Sequence, residues 1–194
     1  MGILWAPDSA LWPDIDRWSS TSEVSPPEGE ETNGVAQYQT LRYFPPTNAS
    51  TSDTSSTLNQ TKFCYTLPAQ AAGYYLIRST FWYGSSATTT LYATRLPGII
   101  SFRMIVDTYS GYQINISIPQ TSPLAHEMYI QALNGSSSVS VCLSAASDDS
   151  DPPFINSLEL RPLPAEVMTS TDTALHVVAR VDFGASTDAP SIIR

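Results

Sequence analysis

His126 and His176 are the chain's two imidazoles, and neither stands in a pattern that would make it a general base. His126 precedes Glu127 at the start of an expected strand. A Ser–His–Asp arrangement would also need a positioned nucleophile, such as a Gly-x-Ser-x-Gly elbow, and the sequence has none. Paired carboxylates could serve glycoside hydrolysis, and the cluster Asp148, Asp149 and Asp151 is the candidate. Such runs are usually solvated loops and less often calcium ligands. No glycine loop is built to cradle phosphate. Two cysteines and two histidines, widely separated, do not have the spacing of a zinc site. These residues point away from an enzyme and imply no cofactor and no metal.

Cys64 and Cys142 leave two readings open. A disulfide between them would close a long loop and add about 4 kcal/mol by reducing unfolded-chain entropy; the alternative is two free thiols. Both cysteines fall on what reads as the non-core face of their strands. Asparagines say more about compartment. Of six, four open an Asn-x-Ser/Thr sequon, namely Asn48, Asn59, Asn115 and Asn134, where chance in so Ser/Thr-rich a chain gives about one or two. That excess favours the secretory route and an extracellular or cell-surface location. Met1 to Trp12 lacks a basic segment followed by a long apolar core, so no signal peptide is read there, and a truncated fragment is expected.

Recognition chemistry is better represented. Ten tyrosines and four tryptophans include several placed at expected strand ends: Tyr43, Trp82, Tyr83, Tyr109 and Tyr112. Flat aromatic faces stack on sugar rings, and a nearby carboxylate accepts hydrogen bonds from hydroxyls. The competing reading is that these aromatics fill the core. For Tyr83 that reading is at least equal, because period two aligns it with Phe81.

The elements that must position these residues are strands. Lys62 to Leu67 alternates Phe63, Tyr65 and Leu67 against Lys62, Cys64 and Thr66. Tyr74 to Tyr83, bracketed by Gly73 and Gly84, places Tyr75, Ile77, Phe81 and Tyr83 on one face. Val139, Val141 and Leu143 alternate with Ser138, Ser140 and Cys142. Further strands are expected at Val35 to Phe44, Thr88 to Thr94, Ile100 to Val106, Tyr112 to Ile118, Glu127 to Leu133 and Ile155 to Leu160, with a turn at Asn134-Gly135. No helical period is sustained. Fifteen prolines and a Ser/Thr-rich stretch from Thr47 to Thr61 suit short strands with long loops, hence an all-β sandwich or jelly roll of antiparallel strands.

Around that body, residues 1–34 read as an irregular segment whose tryptophans dock on the domain. Residues 35–163 form the sandwich, 164–173 a linker, and 174–194 a strand-like segment with no partner of its own. Net charge is −9 and the pI is near 4.4, which repels nucleic acid and anionic membrane and is compatible with neutral glycans or a basic peptide.

Several segments in order resemble plant malectin-like domains. They are Tyr38-Gln39-Thr40-Leu41-Arg42-Tyr43-Phe44-Pro45, Phe63-Cys64-Tyr65-Thr66-Leu67-Pro68, Tyr75 to Gly84, Val141-Cys142-Leu143, and Pro153-Phe154-Ile155-Asn156-Ser157-Leu158-Glu159-Leu160-Arg161-Pro162-Leu163. The tail from Ala174 to Gly184 is similar to the opening of a second malectin unit. The family's opening Asp-Cys-Gly strand has no counterpart. The resemblance implies a non-catalytic extracellular domain, as in the ectodomain of a plant receptor-like kinase, with membrane attachment through the parent receptor. It also implies a glycan or cell-wall carbohydrate ligand, or alternatively a peptide ligand or co-receptor. Animal malectin's sugar-binding positions carry over to Tyr43, to the pair Trp82 and Tyr83, and to Asp151.

Overall fold

The computed structural model describes residues 6–17, 19–25, 27, 35–45, 62–84, 98–109, 111–145, 151–167 and 174–176. The expected strand at Thr88 to Thr94, Trp5, Trp18, Asn48, Asn59, Asp148 and Asp149 lie outside them. Within them the regular structure is strand, with short 3-10 turns between.

In chain order the strands are β1 (Ser20–Glu23), β2 (Thr40–Tyr43), β3 (Lys62–Pro68), β4 (Tyr74–Phe81), β5 (Gly98–Val106), β6 (Tyr112–Ile118), β7 (Leu124–Gln131), β8 (Ser138–Ala145), β9 (Phe154–Ile155), β10 (Ser157–Leu163) and β11 (Ala174–His176). Two four-stranded sheets, β10-β4-β7-β11 and β3-β8-β5-β6, are accompanied by a small sheet, β1-β2-β9. Every pairing is antiparallel. The all-β expectation holds.

Alternation produces the core. Phe63, Tyr65 and Leu67 of β3, Tyr75, Ile77 and Phe81 of β4, Phe102, Met104 and Val106 of β5, and Val139, Val141 and Leu143 of β8 all belong to one buried cluster. Removing such side chains from water is the main favourable term in folding. On the outer face of the β4 sheet, Arg78 stands in register between Glu159 of β10 and Glu127 of β7. Arg161 Nε donates to Glu159 Oε2 at 2.8 Å, so the acid half of this row is buried but paired.

The structure departs from the sequence reading in four places. Residues 1–34 are not wholly irregular: Ser20–Glu23 forms β1, pairing Thr21 with Arg42 and Glu23 with Thr40. That strand is polar and mostly exposed, so it carries no hydrophobic alternation to detect. Val35–Tyr38 is a 3-10 turn, and the strand begins at Thr40. The stretch from Phe154 to Leu163 is two strands in different sheets, broken at Asn156. Ala174–His176, read as lacking a partner, pairs with Met128 to Ile130 at the edge of the β7 strand.

Cys64 and Cys142 lie directly opposite on β3 and β8 and are joined by a disulfide across 78 residues of sequence. The period-two pattern that put both on the same side of the sheet thus described a bonded pair. In the chain-entropy treatment a loop of this length is worth about 4 kcal/mol. Replacing both cysteines by alanine is expected to lower unfolding stability by about that amount. Urea unfolding of the variant beside the parent measures it, and dithiothreitol should then affect the parent alone.

Candidate ligand-binding site

Of the carried-over positions, Trp82 and Tyr83 follow directly on β4, Tyr43 ends β2 and Asp151 precedes β9, and most are enclosed. Trp82 is fully buried and Tyr83 nearly so. Both backbone N–H groups and the Trp82 indole are engaged. Trp82 N–H donates to Asn156 Oδ1 at 2.6 Å, and its indole N–H donates to the carbonyl of Ser25 at 2.7 Å. Tyr83 N–H donates to Gln120 Oε1 at 2.9 Å, and Gln120 Nε2 returns a bond to Phe81 O at 2.9 Å. The Tyr83 ring lies 6.2 Å from Phe154, which itself packs edge-on against Phe81. These aromatics offer no open face to a sugar ring.

Asp151 is also buried and accepts from the Ser101 N–H at 3.3 Å. Tyr43 shares the inward face of β2 with Leu41 and packs half-buried against the core. His126 is buried with its ring 4.0 Å from Tyr112, so it too is used in packing.

On the opposite face of β2, Arg42 makes a hub that sequence reasoning missed. Its Nη2 donates to Asp8 Oδ1 at 2.9 Å, its Nε also donates to Asp8, and its Nη1 reaches Asp16 Oδ1 at 2.7 Å and Ser19 Oγ at 2.9 Å. The guanidinium side chain is only 10% exposed. Burial alone would lower its pKa, but the hydrogen bonds it donates to Asp8 and Asp16, with the Asp8 charge, outweigh that and raise it. A bidentate fork of this kind fixes direction as well as charge. It clamps the N-terminal segment onto the small sheet, where Trp12 stacks on Phe44 at 6.1 Å and meets Tyr65 edge-on at 5.9 Å. The available signal was a lone arginine between core-facing Leu41 and Tyr43, which period two turns outward.

A family model for the malectin-like domain matches residues 2–194. The chain belongs to that family. A probable LRR receptor-like serine/threonine-protein kinase of Arabidopsis thaliana is 32% identical over 178 residues, covering 87% of this chain and 16% of that protein. The chain therefore spans about a sixth of that relative's length. Among solved structures, the plant receptor-like kinase FER aligns with a TM-score of 0.50 at 17% identity, covering 82% of this chain and 39% of that one. The plant receptor-like kinase ANX1 gives 0.51 at 16%, covering 82% and 37%. Likeness at such identities speaks for the fold alone.

In this malectin-like domain, then, three of the four positions expected to contact sugar, Trp82, Tyr83 and Asp151, are closed over. Tyr65, beside the Arg42 hub, carries an electrostatic consequence. Burial pushes its phenol pKa well up, and the Asp8 carboxylate pushes the same way against Arg42. The folded state thus favours the neutral phenol. This contribution is complete below the unfolded tyrosine value near 10 and is lost as pH rises above it. Unfolding midpoints are expected to fall from about pH 10 upward, and Tyr65→Phe should flatten that fall. A Tyr65→Phe profile that matches the parent's at every alkaline pH would contradict this.

Proposed function

We propose that this chain is a non-catalytic recognition domain working outside the cell, within a larger receptor-like kinase, and that carbohydrate is its ligand. The observation that supports this best is the family match along nearly the whole chain, on a sandwich where the reactive groups already have structural work. Asp151 holds the backbone of β5 and His126 packs on Tyr112. Asn115 and Asn134 are exposed, the first on β6 and the second beside Gly135 in the β7–β8 turn, where glycans could be attached. Residues 174–194 are read as the opening of a second unit.

A second reading is supported by the net charge of −9: a basic peptide ligand or a co-receptor surface. Salt separates the two. Binding to neutral sugar involves stacking and hydrogen bonds and hardly responds to ionic strength, whereas charge-driven peptide binding weakens steeply. A glycan array followed by titration of the hits at low and high salt is the test. Expected are dissociation constants in the micromolar-to-millimolar range, about 4 to 8 kcal/mol, changing less than about twofold with salt. Tyr43→Ala, at the half-buried family position, asks whether that position contributes. An empty array together with salt-sensitive binding of basic peptides would replace the carbohydrate reading by the peptide one. Turnover of any glycoside, abolished by Asp151→Asn, would overturn the non-catalytic reading.

A further inference from the structure

An open cleft of about 290 Å³ lies where residues 6–11 of the N-terminal segment meet the small sheet and the start of β10. Its lining combines apolar Leu41, Ile155 and Leu158 with neutral polar Thr21, Thr40, Gln37 and Ser157, beside the Asp8–Arg42 pair and Tyr65. A lining that mixes apolar side chains with a few neutral polar groups is what small polar ligands require. The volume is near the lower end of roughly 300–1,000 Å³ usual for such sites, enough for one or two small rings.

Two further observations narrow the ligand. First, Ser157 is buried, and its Oγ has no hydrogen-bond partner within the protein. A hydroxyl removed from water and left unpaired is costly, so the position favours a ligand group that donates or accepts there. The neighbouring Asn156 cannot serve, because its amide is already divided between Trp82 N–H and the Thr40 carbonyl. Second, the one cation lining the cleft is neutralised. Arg42 faces two carboxylates, Asp8 and Asp16, so the cluster bears a net charge of about −1 and its fork is occupied. An anionic ligand would meet repulsion there rather than a free guanidinium.

We propose that this cleft binds a neutral polyhydroxy ligand, a sugar unit without a carboxylate, with Ser157 Oγ as the buried hydrogen-bonding contact. This rests on the carbohydrate reading above and assigns it a site away from Tyr43, Trp82, Tyr83 and Asp151. Leu158 and Ile155 take the apolar face of the ring, and Thr21, Thr40 and Gln37 meet its rim hydroxyls.

The test titrates the full chain with neutral gluco-, galacto- and manno-disaccharides, and with the corresponding uronate disaccharides, by calorimetry. Two variants accompany it. Ser157→Ala removes an unpaired buried hydroxyl, so thermal stability should stay level or rise while binding of the neutral sugar weakens about five- to tenfold. Thr21→Trp, at an exposed position on β1, fills the mouth of the cleft and should abolish binding. Neutral sugars that bind equally well to the parent and both variants would place the site elsewhere and leave the carbohydrate reading intact. Tighter binding of uronates, weakened by the same variants, would overturn the neutral-ligand assignment. No binding of any sugar would overturn this inference and the carbohydrate reading together.

Discussion

Strand β4 is buried on both faces, and most of the domain is arranged to make that possible. Tyr75, Ile77 and Phe81 point into the main core, while Leu76, Thr80 and, just beyond the strand, Trp82 are buried on the other side. A strand enclosed in this way cannot leave its end groups to water, and unpaired backbone donors in the interior cost free energy comparable to a lost hydrogen bond. The chain meets that demand with side chains drawn from far apart. Asn156 and Gln120 take the two N–H groups after Phe81, and the Ser25 carbonyl takes the indole of Trp82. One asparagine therefore both closes β4 and breaks β9 from β10, because its Nδ2 also reaches Thr40 across to the small sheet. The sheet-to-sheet switch at Asn156 and the burial of Trp82 are one arrangement seen from two strands.

The N-terminal layer depends on a different balance. Desolvating Arg42 is unfavourable by itself, and a buried charge is stable when it is paired and hydrogen-bonded. Asp8, Asp16 and Ser19 supply those partners from segments 34, 26 and 23 residues away. Trp12 adds aromatic contact with Phe44 and Tyr65 beside the same point. The bidentate polar clamp fixes where the segment lies. Residues of both the N-terminal segment and the small sheet line the open cleft beside this clamp.

How much of this was legible depended on whether a signal was local. Period two gave β3, β4 and β8 with the correct inward residues, since Phe63, Tyr65 and Leu67, or Val139, Val141 and Leu143, declare their face within seven residues. It could not find β1, whose Ser-Thr-Ser-Glu has no apolar face and is held by backbone pairing with β2. It could not decide between stacking platform and core for Trp82 either. A strand buried on both faces loses the alternation that distinguishes outside from inside. The cysteine pair was visible as a shared face but not as a bond, because register between β3 and β8 is set by the whole sheet. The Arg42 hub and the cleft were out of reach for the same reason: their members are brought together by tertiary packing across three segments of sequence.

That division also explains why family membership determines the frame more firmly than the ligand. The core is a set of apolar positions that tolerate exchange so long as volume and pattern are kept, which lets the sandwich persist to FER and ANX1 at 16–17% identity. A ligand site has no such tolerance. It needs particular groups at particular distances, and here Trp82 and Tyr83 are buried, with their backbone N–H groups on Asn156 and Gln120 and the Trp82 indole on Ser25. Moving Trp82 outward to meet a sugar would forfeit packing and unpair its indole N–H, and moving the Tyr83 ring would forfeit packing. On the carbohydrate reading proposed above, recognition would use polar groups the fold has not already engaged, such as those lining the cleft beside β2.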